Sequence, residues 1–266
     1  MRGHSTSDAA RIRCRFSKAA PQYDRYAAHH RMIARELLRH LTGLRCQRIL
    51  ELGCGTGILS RGLQKLFPES SILLTDSAPG MVSVCRTRVH PSSLVRHSLW
   101  DFESAEFPGS FDLAVSSCAL QWLARPEEFG KRLFHAVSPG GWTAHAIPVT
   151  GMLRELESSF LGTGCTSPSL DYLSGEEWNG VFSEAGFAIA GSLTRRFTVM
   201  YPSPADAVRA VNGIGASLSG LSRGDDVSPA ALRRALGYYG ERFGAPCGEV
   251  PASYEVHFLL ARRSGD

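Results

Sequence analysis

The chain has 266 residues, 43% of them hydrophobic and 20% charged, which suits one sizeable core or a main domain with an appended subdomain and excludes extended disorder away from the ends. The formal net charge is +4, with 26 Arg against 3 Lys; these guanidinium groups could meet an acidic partner or lie on solvated faces, and no basic run forms a nucleic-acid tail. Seven widely spaced cysteines without a C-x-x-C pair argue against a disulfide framework and a zinc site, and no apolar run approaches the roughly 18 to 20 residues that span a bilayer, so a soluble cytoplasmic protein with reduced thiols is expected.

The opening "MRGHSTSDAARIRC" is polar and carries no apolar segment of the kind that follows the charges of an export signal. "YDRYAAHHRMIARELLRHL" (Tyr23 to Leu41) has apolar residues at helical spacing behind Pro21, so a helix is expected ahead of the first strand. From Arg48 to Pro148 strands and helices alternate. "RILEL", "SILLTD", "SLVRHS", "FDLAVSS" and "GWTAHAIP" read as strands, the last after a turn "SPGG". "ILSRGLQKLF", "PGMVSVCRTRV" and "PEEFGKRLFHAV" read as the intervening helices. That alternation predicts a parallel sheet covered on both faces.

Beyond Pro148, "GMLRELESSFLG" and "SGEEWNGVFSEAGF" read as helices, "TRRFTVMY" as a strand and "YEVHFLLARR" as a closing strand. The roughly 50 residues between those two strands exceed any hairpin loop, and "SPADAVRAVNGIGA" and "SPAALRRALGYYGERF" within them read as helices. A helical subdomain over one end of the sheet is expected. The resulting division is an N-terminal helical segment (1–45), a ligand-binding core (46–150) and a remainder (151–266) with a helical insertion at about 203–245.

"ILELGCGTG" (Ile49 to Gly57) is the densest signal. Gly53, Gly55 and Gly57 follow the first strand, where a ligand of an open α/β sheet sits. Alternate glycines permit positive φ and let a ligand reach the main chain, and the next helix offers free N–H groups. The dinucleotide pattern G-x-G-x-x-G fails in both registers, since its last position falls on Ile58 or Ser60. Glu51 precedes the loop and could hold an ammonium; Asp76 ends the second strand, about 20 residues on, where an acid accepts a ribose diol. A ligand with a sugar and an amino-acid end but no pyrophosphate fits both acids, and S-adenosylmethionine is such a ligand.

"ELGCGTG", "LLTDSAPGM", "WDFESAEF", "FDLAVSS" and "SPGG" resemble, in order and spacing, the motif series of class I methyltransferases. The resemblance implies a Rossmann-like α/β fold: a mostly parallel sheet with an antiparallel last strand, helices on both faces and a helical lid. It implies that Asp76 takes the ribose hydroxyls, that Met81 packs on the adenine, and that Asp101 and Phe102 meet the adenine amino group and edge. Thr56, Ser77 and Ser116 are expected to join the cofactor contacts with Glu51 and the glycines. Plain core packing remains open for Met81 and Phe102.

The acceptor signals lie elsewhere. The place after the fourth strand reads "SSCALQW", without the Asn/Asp-Pro-Pro-aromatic tetrad of amino methylation or a Pro-Cys nucleophile, and no aromatic-basic platform suggests nucleic acid. The nine histidines are scattered; His29, His30 and His40 are expected at the surface or between helices. "RFSKAAPQYDRYAAHHR", "SSCALQWLARPEEF", "PVTGMLRELESSF" and "YPSPADAVRAVNGIGAS" resemble the malonyl-acyl-carrier-protein O-methyltransferases of biotin synthesis. That resemblance implies transfer of a methyl group from S-adenosylmethionine to the malonyl carboxylate on acyl carrier protein; a monomer is expected, and the scattered histidines and the lack of a spanning apolar run point to no metal and no membrane. Such a carboxylate is ionised near pH 7, so no catalytic base is expected. Tyr23 would close over the cofactor, Gln121 and Trp122 would border the transfer point, and Arg31, Arg154 and Arg209 are candidates to hold the acceptor's charge. A free small acid or quinone as acceptor, or a scaffold that binds the cofactor without transfer, stays open as an alternative.

Overall fold

The computed structural model describes residues 6–167, 171–216 and 227–265, with side chains from residue 9 onward. The apolar run of β1 (Arg48–Leu52) is buried at four of its five positions, because it lies mid-sheet between β2 (Ser71–Asp76) and β4 (Phe111–Ser117), parallel to both. β3 (Val95–Leu99) pairs outside β2, and β5 (Val137–Pro148) outside β4, again in parallel. β7 (Val250–Arg262) then runs antiparallel between β5 and the edge strand β6 (Ala188–Tyr201). The order β3-β2-β1-β4-β5-β7-β6 reverses direction between β1 and β4, which puts a ligand crevice beyond the carboxyl ends of those two strands.

Side-chain alternation along the strands builds two cores. Ile49, Leu113 and Val115 meet Ile33 and Leu37 of α3 (Ala28–His40) and Leu63 of α4 (Ser60–Leu66) on one face. Leu50, Leu52 and Ala114 meet Phe129 and Leu133 of α6 (Pro126–Ala136) and Phe182 of α8 (Gly175–Glu184) on the other. Truncating a fully buried leucine such as Leu50 to alanine costs about 2 to 5 kcal/mol through lost transfer energy and the cavity left behind. α5 (Pro79–Arg88) crosses from β2 to β3 and starts on Pro79, whose fixed φ suits a first helical turn. α8 is started by a capping box between Ser174 and Glu177.

A third core joins α7 (Arg154–Gly162) to α9 (Pro204–Gly213) and α10 (Pro229–Phe243) through Leu156, Phe160, Val211, Ala235 and Tyr239. The two later helices occupy the connection between β6 and β7, as its length predicts. Residues 217–226 of the expected insertion, Ser217 of the last quoted segment among them, and residues 1–5 lie outside the described residues.

Within the expected N-terminal helical segment, the polar start forms α1 (Thr6–Ala19), which packs on α5, with Phe16 against the cluster that holds Met81. Three local expectations change. The long N-terminal helix is broken at Ala27 (φ −92, ψ 36) into α2 (Tyr23–Tyr26) and α3. "SPGG" is the start of β5 rather than a turn, because Gly140 (φ +76) donates to the Arg263 carbonyl and extends the sheet past β7. β6 begins six residues before "TRRFTVMY", where small, exposed residues show no alternation.

Candidate active site

At the switch point Leu52 ends β1 and the chain turns through Gly53 (φ +70), Gly55 (φ +53) and Gly57 (φ +88). The loop is stitched by Cys54 N–H donating to the Thr75 carbonyl at 2.8 Å and Gly57 N–H donating to the Cys54 carbonyl at 2.9 Å. A Cβ on Gly53 would come within 2.6 Å of Ala119 Cβ, whereas one on Gly55 would meet nothing within 4 Å. The Gly55 main chain therefore faces open space. That space belongs to a cleft whose empty volume, open solvent included, is about 830 Å3.

Glu51, Gly53, Gly55 and Thr56 line the cleft from the first strand and its loop, and Asp76, Ser77 and Met81 from the second. Phe102, Tyr23 and Trp122 complete it from β3's exit, from α2 and from the short 3-10 turn Leu120–Trp122. Gly57 ends the loop against Cys85 and Val89, away from the opening. Asp101 is not among the lining residues; its carboxylate pairs at 2.9 Å with Arg13, which is. Gln121 turns back, donating from Nε2 to the Cys118 carbonyl at 2.8 Å.

The remaining candidates stand apart from the cleft. Ser116 is fully buried in β4 and hydrogen-bonded to His145 Nδ1 at 2.8 Å; its neighbour Ser117 faces the cleft, as the two-residue repeat of a strand requires. Arg31 donates to the Asp24 carbonyl at 2.7 Å, Arg154 lies 3.7 Å from Glu155, and Arg209 is paired with Asp206 on its own helix. None of these three arginines lines the cleft. Among the described residues the guanidinium that does is Arg13 of α1, hidden in a segment read as a polar start; the Ile12–Phe16 spacing around it was the available signal. Phe16 packs edge-on against Trp122, ring centres 5.5 Å apart, closing the cleft's apolar roof.

Electrostatics set the acids apart from surface carboxylates. Asp76 accepts from Gly55 N–H at 2.9 Å and Ala78 N–H at 2.8 Å, one on each oxygen, which leaves lone pairs on both for a ligand. Burial nevertheless pushes its carboxyl up to about 6. Glu51 is 1% exposed, is also driven up by burial, and keeps Oε2 without a partner among the described residues. Cys118, beside the β4 terminus, has φ +55. A non-glycine residue in that region marks strain held by its surroundings, here the Ala146 carbonyl and Gln121. No group of three His, Cys, Asp or Glu side chains that could hold a metal ion occurs among the described residues, and no described helix is long and apolar enough to cross a membrane.

Comparison with known proteins agrees with this geometry. Residues 50–143 match the family model described as a methyltransferase domain. A malonyl-acyl-carrier-protein O-methyltransferase of Halorhodospira halophila is 30% identical over 92% of this chain and 84% of its own length. One of a Paenibacillus species is 31% identical over 91% and 94%. The solved N-methyltransferase NodS of Bradyrhizobium japonicum, in complex with S-adenosyl-L-homocysteine, superposes with a TM-score of 0.51 at 13% identity, over 88% of this chain and 86% of that one; it shares the fold. The Rossmann-like sheet, the glycine loop at its switch point and the relatives aligned along nearly the whole chain place this protein in the malonyl-acyl-carrier-protein O-methyltransferase family of S-adenosylmethionine-dependent enzymes.

Proposed function

We propose that the protein transfers the methyl group of S-adenosylmethionine to the free carboxylate of a malonyl group carried on acyl carrier protein, giving the methyl ester used early in biotin synthesis. Family membership along nearly the full chain is the observation that carries this reading. The cleft supports the cofactor: Glu51 Oε2 is a buried acceptor awaiting a cation, and the open side of Gly55 admits a ligand to the main chain. In this reading Asp76 holds the ribose hydroxyls, Met81 and Phe102 flank the adenine, Asp101 stands at its edge, and Glu51 takes the ammonium.

When bound, the sulfonium supplies an electrophilic methyl group. The chain's task is then to align the acceptor and exclude water. Tyr23, Phe16 and Trp122 form an apolar cover, and α9 packs against α2, the helix that carries Tyr23. Burial holds the Tyr23 hydroxyl well above its ordinary value, so it stays neutral and serves as a hydrogen-bonding group, not a base. None is required, since a malonyl carboxylate is already ionised at neutral pH. The product has lost its charge, which lowers the cost of entering an apolar chain-elongation pocket.

Incubation with labelled S-adenosylmethionine and purified malonyl-, acetyl- and unloaded carrier protein tests this assignment. Base-labile label on the malonyl carrier alone is expected. Equal labelling of all three, or of none while a free small acid is labelled, would reject it.

A further inference from the structure

Two side chains in the cleft lining have a buried polar atom with no partner among the described residues: Glu51 at Oε2 and His30 at Nδ1. Three other polar side chains of the lining are committed to protein partners. Arg13 is turned to Asp101, the Thr56 hydroxyl to Asp24 and the Tyr23 hydroxyl to His30. A carboxylate oxygen and an imidazole nitrogen left bare in one cleft are a complement for a zwitterion.

The tautomer of His30 follows from counting hydrogens. Tyr23 Oη and His30 Nε2 are 3.1 Å apart. If Nε2 were the donor, the Tyr23 hydrogen and the Nδ1 lone pair would both be stranded. With Tyr23 donating to Nε2, only the Nδ1–H is unmet, and buried orphans are costly. The ring is also braced. His29, 1% exposed, stacks on Tyr254 at 3.9 Å between ring centres and lies 4.0 Å from the His30 ring. Burial lowers His30 to about 4, with Arg31 pushing in the same direction and Asp24 against it. The imidazole on the cleft lining is thus neutral and fixed, with its N–H on the buried, unpartnered Nδ1.

We propose that His30, aimed by Tyr23 and braced by His29, binds the carboxylate at the amino-acid end of S-adenosylmethionine, while Glu51 binds its ammonium. The assignment rests on the cleft being the cofactor site. It adds a ligand role to the interhelical place expected of His30, which joins α3 to Tyr23 of α2.

Calorimetry with S-adenosylhomocysteine and its decarboxylated analogue tests it without turnover. The wild-type protein should prefer the carboxylated ligand. His30→Ala should weaken S-adenosylhomocysteine by about 10- to 100-fold, the span expected for a hydrogen bond to a charged group, and leave the analogue nearly unchanged. That unchanged affinity also reports an intact fold. His30→Asn, which keeps an N–H near the Nδ1 position, should restore part of the preference. Equal loss for both ligands would mean a packing role only, and an unaltered preference would remove His30 from the site; either overturns the proposal. So would unchanged S-adenosylhomocysteine binding with a raised KM for the malonyl carrier, which would give His30 to the acceptor's carboxylate instead. Failure of the wild-type protein to bind either ligand would reject the reading of the cleft itself.

Discussion

Thr56 Oγ donates to Asp24 Oδ1 at 2.5 Å, tying the N-terminal α2 to the glycine loop. The other Asp24 oxygen pairs with Arg88 of α5 at 2.7 Å. One carboxylate thereby fastens the cover of the cleft to the two elements that carry Gly55 and Met81. Asp24→Ala should therefore loosen the cover and weaken S-adenosylhomocysteine binding by about 1 to 3 kcal/mol, the loss expected when a partly buried charged acceptor is removed. Isothermal titration checks this, with hydrogen exchange of residues 9–26 expected to rise in parallel.

Asp76 gives the site a pH dependence. Its carboxyl ionises near 6 against an ordinary 3.8, so the folded chain holds the proton more tightly than the unfolded one. Stability is then greatest below the ordinary value and falls as pH rises toward about 6, by about 3 kcal/mol for the roughly two-unit shift. Cofactor binding runs the opposite way, because only the ionised carboxylate accepts both ribose hydroxyls. Affinity for S-adenosylhomocysteine should drop as pH falls through about 6, and Asp76→Asn should flatten that profile at a lower affinity. A wild-type profile without an inflection in this range would remove the ribose role.

Glu51 is raised for the same reason and has an orphan oxygen. A buried carboxyl without a cationic partner favours its neutral form, so at neutral pH it subtracts from the stability of the ligand-free protein. Glu51→Gln should raise the Tm of the free protein while weakening the cofactor. Differential scanning calorimetry with and without S-adenosylhomocysteine should show the two transitions drawing together.

The loop glycines separate folding from binding. Gly53→Ala meets Ala119 Cβ at 2.6 Å as well as an unfavourable φ, and should lower the melting temperature sharply. Gly55→Ala meets open space; it should fold at a cost of about 1 kcal/mol for the left-handed backbone and lose affinity because its methyl group occupies the ligand's approach. Circular dichroism melts paired with binding isotherms check both variants.

The sheet was legible because its strands are buried runs with sharp ends. β1, β2 and β4 fall where "RILEL", "SILLTD" and "FDLAVSS" lie, and the glycine loop between two acids pointed to the cleft. The cover was harder to read. Arg13 and His30 acquire their positions through tertiary packing of α1 and α3, and a lone arginine or histidine on a helix carries no periodic signal. Ser116 was placed one residue out, which in a strand is the opposite face. Arg31, Arg154 and Arg209 were plausible as charge, but each found a nearer partner in its own neighbourhood.

If the malonyl carboxylate receives the methyl group, the intact mass of malonyl carrier protein incubated with enzyme and S-adenosylmethionine rises by one methylene, a gain reversed by mild base and absent from acetyl carrier protein. A malonyl carrier of unchanged mass, in a reaction where the same enzyme methylates another acceptor, would contradict this assignment.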